Sequence, residues 1–309
     1  MTALHEELER YLRLRRSLGH NLADAARLLP RFVDHLEVTR AEFVTIEAAL
    51  AWSQEPDSAP GTTVWPRRMM AVRGFARHMT GVDSRTEVPP VGLLPFRTRW
   101  RPPFIYSDAD VIALMAQCSR SIPSSLRAAT FETLIGLLAV TGLRVGEAIR
   151  LDRTDLNCPE GVLMIRRSKF GKSRQVPLET SALYALSRYA RQRDQLQSHP
   201  TSPSFFISNR GTRLIYATVS QVFRTMCDAA GVGTSSPRKP RIHDLRHSFA
   251  VHCLVRWYQD EGDVGIRLPW LSTYLGHRDP RSTYWYLSAA PELLAYAVKR
   301  LDATHAVAL

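Results

Sequence analysis

The feature that most constrains this chain is a ten-residue run, Phe131-Glu-Thr-Leu-Ile-Gly-Leu-Leu-Ala-Val140, inside a segment whose pattern predicts a helix from about Ser124 to Val140. A helix apolar on every side must be enclosed on every side, so other elements have to pack around it. The run falls short of the ~18 apolar residues that a bilayer span requires, and so does every other run in the chain. It stops at Thr141-Gly142, and a new helix is expected from Leu143-Arg144-Val145-Gly146-Glu147. An arginine thus emerges at a junction that a buried helix makes rigid.

Upstream lies a different kind of sequence. Helical spacing is predicted over Leu4 to about Arg16, Leu22 to Leu36, Thr45 to Gln54 and Thr62 to Met79. Pro30 should bend or split the second of these, and Thr45 should cap the third. The fourth carries Arg67, Arg68, Arg73 and Arg77. Between Glu87 and Pro103 stand Pro89, Pro90, Pro95, Pro102 and Pro103, a density that suits an extended connector. The expected organisation is a helical domain over 1–86, a Pro-rich linker over 87–104 and a second domain over 105–309. That second domain should open on a capping box, Ser107-x-x-Asp110.

Beyond the central helix the predicted elements are a β-hairpin, Val162 to Arg166 and Gln175 to Leu178, turning at Lys169-Phe-Gly-Lys-Ser. Helices over Ser181 to Gln195 and Ala217 to Ala230 follow, with a short strand at Phe205 to Ser208 between them. After the basic loop Gly231 to Pro240 come helices from His243 to about Trp257 and from Leu268 to Leu275, joined by a polar loop. The four cysteines form no C-x-x-C pair, so reduced, mostly buried thiols are expected.

Lys and Arg number 41 against 29 Asp and Glu, giving a net charge of +12. That excess favours a polyanion partner, most simply nucleic acid. Met1 leads directly into a charged amphipathic segment, so no signal peptide is expected and the location should be cytoplasmic or nucleoid-associated.

Several side chains suit phosphate chemistry. Arg144 has the rigid position to grip a phosphate through paired hydrogen bonds, with Glu147 one turn on to orient it. In Ile242-His243-Asp-Leu-Arg246-His247 the imidazole of His243 and the guanidinium of Arg246 share a helix face. The His243/His247 spacing resembles a zinc-protease pair, but Asp244 replaces the required glutamate and no third ligand is evident, so no metal is expected. From Leu275 to Leu287 the chain reads Leu-Gly-His-Arg-Asp-Pro-Arg-Ser-Thr-Tyr-Trp-Tyr-Leu. Gly276 should end one helix left-handed and Pro280 should start another, holding His277 in a fixed turn with Tyr286 on the new helix.

In combination these motifs resemble the tyrosine recombinase family, also called the phage integrase or lambda integrase family. The family pattern is an arginine in Thr-Gly-Leu-Arg-x-x-Glu, a hairpin lysine, His-x-x-Arg, Leu-Gly-His, and a tyrosine nine residues after that histidine. Here the tyrosine falls on Tyr286, with Tyr284 the rival. Counting back from Val176-Pro177-Leu178, the lysine falls on Lys169, with Lys172 the fallback. The 31 residues from Arg246 to His277 exceed the compact family spacing, and the surplus looks like a loop insertion around 259–267.

The resemblance implies a mainly α fold with a small antiparallel β-sheet. It would comprise a helical core-binding (SAM-like) domain and a catalytic domain that together form a C-shaped clamp on duplex DNA. It implies strand cleavage by Tyr286 to a 3′-phosphotyrosyl link, with Arg144, Lys169, His243, Arg246 and His277 as its catalytic partners and no cofactor. Rejoining to another 5′-hydroxyl is recombination, here more like that of mobile elements than of chromosome-dimer resolvases. Partners would be recombination sites on DNA, a homotetramer with the helix Pro291 to Leu301 docked in trans, and accessory DNA-bending proteins. DNA contacts are expected from Arg67, Arg68, Arg73, Arg77, Lys172, Arg238, Lys239 and Arg241. A type IB topoisomerase and a non-enzymatic DNA-binding protein on the same fold are the competing readings.

Overall fold

The computed structural model describes residues 3–55, 63–94, 102–166, 168, 171–260, 263–277, 279–288, 293 and 295. The chain packs as two compact units, Met1–Arg101 and Pro102–Leu309. The first is all helical: α1 (Ala3–Ser17), α2 (Ala23–Val38), α3 (Ile46–Ser53) and α4 (Val64–Met79). Leu8, Leu12, Phe32, Leu36, Trp52, Val72 and Phe75 close its core, with the Phe32 and Trp52 rings 5.1 Å apart. Thr45 caps α3 as expected, accepting from Ala48 N at 3.1 Å.

Pro30 does not divide α2, which runs through it with Leu28, Leu29, Phe32, Val33 and Leu36 all buried. Burial worth ~1.5–3 kcal/mol per large side chain outweighs the ~3 kcal/mol that an interior proline costs. Within the proposed linker, Leu94 is part of this unit's core, with Val88 and Leu93 packed against it. Residues 95–101 lie outside the described set.

In the second unit the helices are α5 (Asp108–Ser121), α6 (Ser125–Thr141), α7 (Val145–Arg150), α8 (Thr180–Leu196), α9 (Tyr216–Ala229), α10 (Asp244–Gln259), α11 (Val264–Leu275) and α12 (Arg281–Tyr284). The Ser107/Asp110 capping box starts α5. The apolar run lies in α6, whose Ala128, Phe131, Leu134, Ile135, Leu137 and Leu138 sit in the main core among α5, α7, α8 and α9. A second core joins α10 and α11 to Tyr286 and Leu293.

Strands β1 (Leu156–Asn157), β2 (Val162–Ile165) and β3 (Arg174–Pro177) form an antiparallel sheet in the order β1-β2-β3. β3 starts one residue earlier than expected, and Arg174 pairs with the buried Ile165. At 205–208 the expected strand reduces to isolated bridges at Ser204 and Ile207. The surplus around 259–267 is largely helix, because α10 extends to Gln259 and α11 begins at Val264, capped by Asp263. No described helix is long and apolar enough to cross a membrane.

Candidate active site

Two glycines build this site. Gly142 ends α6 at φ 59°, and Gly276 ends α11 at φ 68°, a left-handed conformation that side chains resist. A Cβ on Gly142 would also lie 2.4 Å from Phe249 Cδ1. The two turns present their carbonyls to arginines, for Arg246 Nη1 donates to Gly142 O at 2.8 Å and Arg246 Nη2 to Leu275 O at 2.8 Å. Helix C-termini carry partial negative charge, so they suit a buried cation. Arg246 is 3% exposed. Burial first, and then Arg144, lower its pKa to about 10, which leaves it charged at neutral pH.

Arg144 sits at the N-terminus of α7, where Glu147 fixes it twice: Oε2 accepts from Arg144 N at 3.1 Å and Oε1 from Nη1 at 2.8 Å. Arg144 Nη2 also donates to Gly276 O at 3.2 Å, which ties α7 to the turn bearing His277. Burial would push the Glu147 carboxyl up, but Arg174 and then Arg144 outweigh it and hold the group at about 2.

His277 follows the α11 turn, its Nδ1 2.7 Å from the buried Thr283 Oγ1. Burial, then Arg246 and Arg144, depress its pKa to about 4, so the ring is neutral at pH 7. His243 precedes α10 on the solvent-exposed side, its pKa lowered by its packed surroundings and by Arg246.

The two tyrosines separate cleanly. Tyr284 is 52% exposed, whereas Tyr286 is 2% exposed and its ring stacks on His277 at 6.1 Å. The Tyr286 hydroxyl reaches the Arg246 guanidinium; burial raises its pKa, against the lowering influence of Arg246 and Arg144. Tyr286 is not on α12, as the spacing suggested, but in the tighter 3-10 turn Trp285–Ser288 that follows. Standing two residues apart, the two tyrosines point in different directions.

The structure therefore brings Arg144, Glu147, His243, Arg246, His277 and Tyr286 together. Lys169 lies outside the described residues; Lys172, across the turn at Gly171, is exposed. Among the expected DNA contacts Arg68 is corrected: it is 3% exposed, donates to Trp52 O at 3.1 Å and covers the Trp52 ring, so it belongs to the fold of the first unit. Arg73 is largely spent on Pro89 O and Pro90 O, both at 2.7 Å. Arg67 pairs with Asp24 and Arg241 with Asp244 while remaining exposed, as are Arg77, Arg238 and Lys239. Most of the helix expected at Pro291 to Leu301 is outside the described residues, but Leu293 is buried in its own chain's core.

Two neighbours of the site were given no place in it by the sequence reading, His247 having been weighed only as a zinc ligand. His247 packs on the rings of Trp285, Tyr286 and His243 at 5.2, 5.6 and 5.2 Å, and its buried Nδ1 has no hydrogen-bond partner among the described residues. Burial, then His243, drive its pKa down to about 3. Arg174 braces Glu147 from β3. Its signal was alternation: with the strand begun one residue earlier, Arg174 falls on the same face as the buried Val176.

Residues 106–292 match the model of the phage integrase family. A putative integrase/recombinase of Sinorhizobium fredii, y4rB, is 40% identical over 308 residues, 98% of this chain and 98% of its own length. The integrase of transposon Tn1549, solved with transposon right-end DNA, superposes with a TM-score of 0.64 at 14% identity, over 96% of this chain and 98% of that one. A lambda integrase tetramer bound to a Holliday junction gives 0.59 at 20% identity, over 92% and 76%. This chain belongs to the phage integrase family, the tyrosine recombinases.

Proposed function

We propose that this protein cleaves and rejoins DNA strands at specific sites on behalf of a mobile element, with Tyr286 as the nucleophile. The observation that carries the reading is that Tyr286, and not Tyr284, is packed against His277 with its hydroxyl at Arg246. Similarity to a transposon integrase supports the mobile-element role, and the +12 charge supports DNA as the partner.

A phosphodiester resists attack because its oxygens are negative, so the site has to neutralise charge that grows in the pentavalent transition state. Arg144 and Arg246 supply guanidinium donors, already fixed by Glu147, Gly276 O, Gly142 O and Leu275 O, to the two non-bridging oxygens. Neutral His277 adds an N–H. The Tyr286 oxygen attacks phosphorus, forming a phosphotyrosyl ester at the 3′ end while the P–O5′ bond breaks. Lys169 protonates the departing 5′ oxygen, and His243 assists transfer of the tyrosine proton. One ester replaces another, so a 5′-hydroxyl from a partner strand reverses the step without an external energy source.

Exposed Arg67, Arg77, Lys172, Arg238, Lys239 and Arg241 contribute phosphate contacts. The working assembly is a tetramer on two DNA sites, a reading supported by the lambda integrase tetramer. The test is a nicked duplex taken from DNA flanking the gene, which traps the covalent adduct when the short 5′ fragment diffuses away. An adduct on a denaturing gel that survives Tyr284→Phe and vanishes in Tyr286→Phe is expected. No adduct on DNA that the protein binds would refute the proposal.

A further inference from the structure

Arg174 is a buried-face arginine that the proposed chemistry leaves without a task. Its Nη1 and Nη2 donate to Glu147 Oε1 and Oε2 at 3.1 and 2.9 Å, a two-pronged contact, and its Nε donates to Tyr274 O at 2.9 Å. It also lies under Gly276, where an added Cβ would meet Nη1 at 3.0 Å. One side chain therefore joins β3, the carboxylate that fixes Arg144, and the α11 end that delivers His277.

Each of the three nitrogens of Arg174 is bonded to a protein oxygen, so the side chain is held as part of the frame around the site. We propose that Arg174 is a positioning residue for the cleavage reaction, locking Glu147 so that Arg144 and the His277 turn hold their places when the phosphate arrives. This deepens the reading given above and rests on it. Glu147 alone cannot do the work. Its side chain is 1% exposed, and Arg144 engages each of its oxygens only once, through N and Nη1, which leaves further lone pairs to be satisfied in a buried place. The second guanidinium fills both remaining directions and fixes the plane.

β3 is also the strand that leaves the hairpin turn in which the lysine stands, so Arg174 couples the general-acid side of the site to the arginine side. The charged groups facing Glu147 are Arg144 and Arg174, with Arg246 and His277 next. Removing Arg174 removes the largest influence that keeps Glu147 ionised, so an acid limb should rise into the working pH range.

The experiment is single-turnover cleavage of the nicked duplex at saturating protein from pH 5 to 8, with Arg174→Lys and Arg174→Gln beside wild type. DNA affinity is measured separately by gel shift, and folding by thermal melting. Arg174→Gln is expected to cleave ~10–100-fold more slowly, as when outer-shell partners of reactive groups are lost. Its affinity should be unchanged within about 2-fold and its acid limb displaced to higher pH. Arg174→Lys, which keeps the charge but not the fork, should fall between the two with the wild-type pH profile.

Wild-type rates in both variants would overturn the inference, as would a loss that appears only in affinity or a Gln profile that keeps its acid limb. If Arg174→Gln does not fold, Arg174→Lys decides: a rate about 3-fold or more below wild type supports the role, and equality overturns it. Absence of any adduct in wild type would overturn the underlying reading, and this inference with it.

Discussion

Replacing Arg246 by lysine keeps the charge and removes the fork, which makes it an exacting test of how the site works. A guanidinium carries five N–H donors and an ammonium three. Arg246 spends two on Gly142 O and Leu275 O, both at 2.8 Å, and three remain for a phosphate and for Tyr286. A lysine satisfying both carbonyls would have one left, and one satisfying a single carbonyl would leave the other buried and unpaired, at a cost of about 1–3 kcal/mol. Losing one preorganised donor to a developing oxyanion costs roughly 2.7–4 kcal/mol, or about 10²–10³ in rate. Arg246→Lys should therefore slow single-turnover cleavage by about 10²–10³ at saturating DNA, while changing affinity by no more than about 3-fold, since outer basic residues dominate binding. A slowing of less than about 10-fold, or a defect confined to affinity, would refute the argument that the paired carbonyls commit this guanidinium to the phosphate.

Gly142→Ala, at φ 59° and against Phe249, should destabilise the protein by about 2–4 kcal/mol in urea unfolding; a change under about 1 kcal/mol would contradict the required left-handed turn. His277 and His247 have pKa values near 4 and 3 in the folded protein, below the 6.5 of a free imidazole. The unfolded chain therefore takes up protons first as pH falls below about 6.5, and stability should decline from there towards about pH 3. Urea titrations on the double variant His247→Gln/His277→Gln should show a flatter acid limb; an unchanged limb would assign the decline to other groups. Arg238→Ala/Lys239→Ala should reduce the salt slope of DNA binding, as each lost phosphate contact does. Arg68→Ala should leave that slope alone and lower the melting temperature of the first unit, because its guanidinium is buried on Trp52.

Much of this molecule was legible where local physics decides. An apolar run with no polar face had to be central, and α6 is; glycines after it and after α11 had to turn left-handed, and both do. The family resemblance brought Arg144, Arg246, His277 and Tyr286 into one candidate set, and it could do so because each stands in a short motif at a helix end or turn. What escaped depends on tertiary context. Pro30 stays inside its helix because the packed face of α2 outweighs the local penalty. Arg68 reads as a surface charge on helical spacing alone, and only the fold turns it onto Trp52. Arg174 meets Glu147 across 27 residues, and Tyr286 lies in a 3-10 turn that no local motif announces.

The central claim is that one tyrosine of this chain joins the 3′ end of a cut strand. The most direct measurement is to trap the adduct on a nicked duplex labelled at one end, digest it, and identify the nucleotide-bearing peptide by mass spectrometry. The account predicts the nucleotide on Tyr286, linked through a 3′-phosphate. A nucleotide on Tyr284, or a link to the 5′ end, would contradict it.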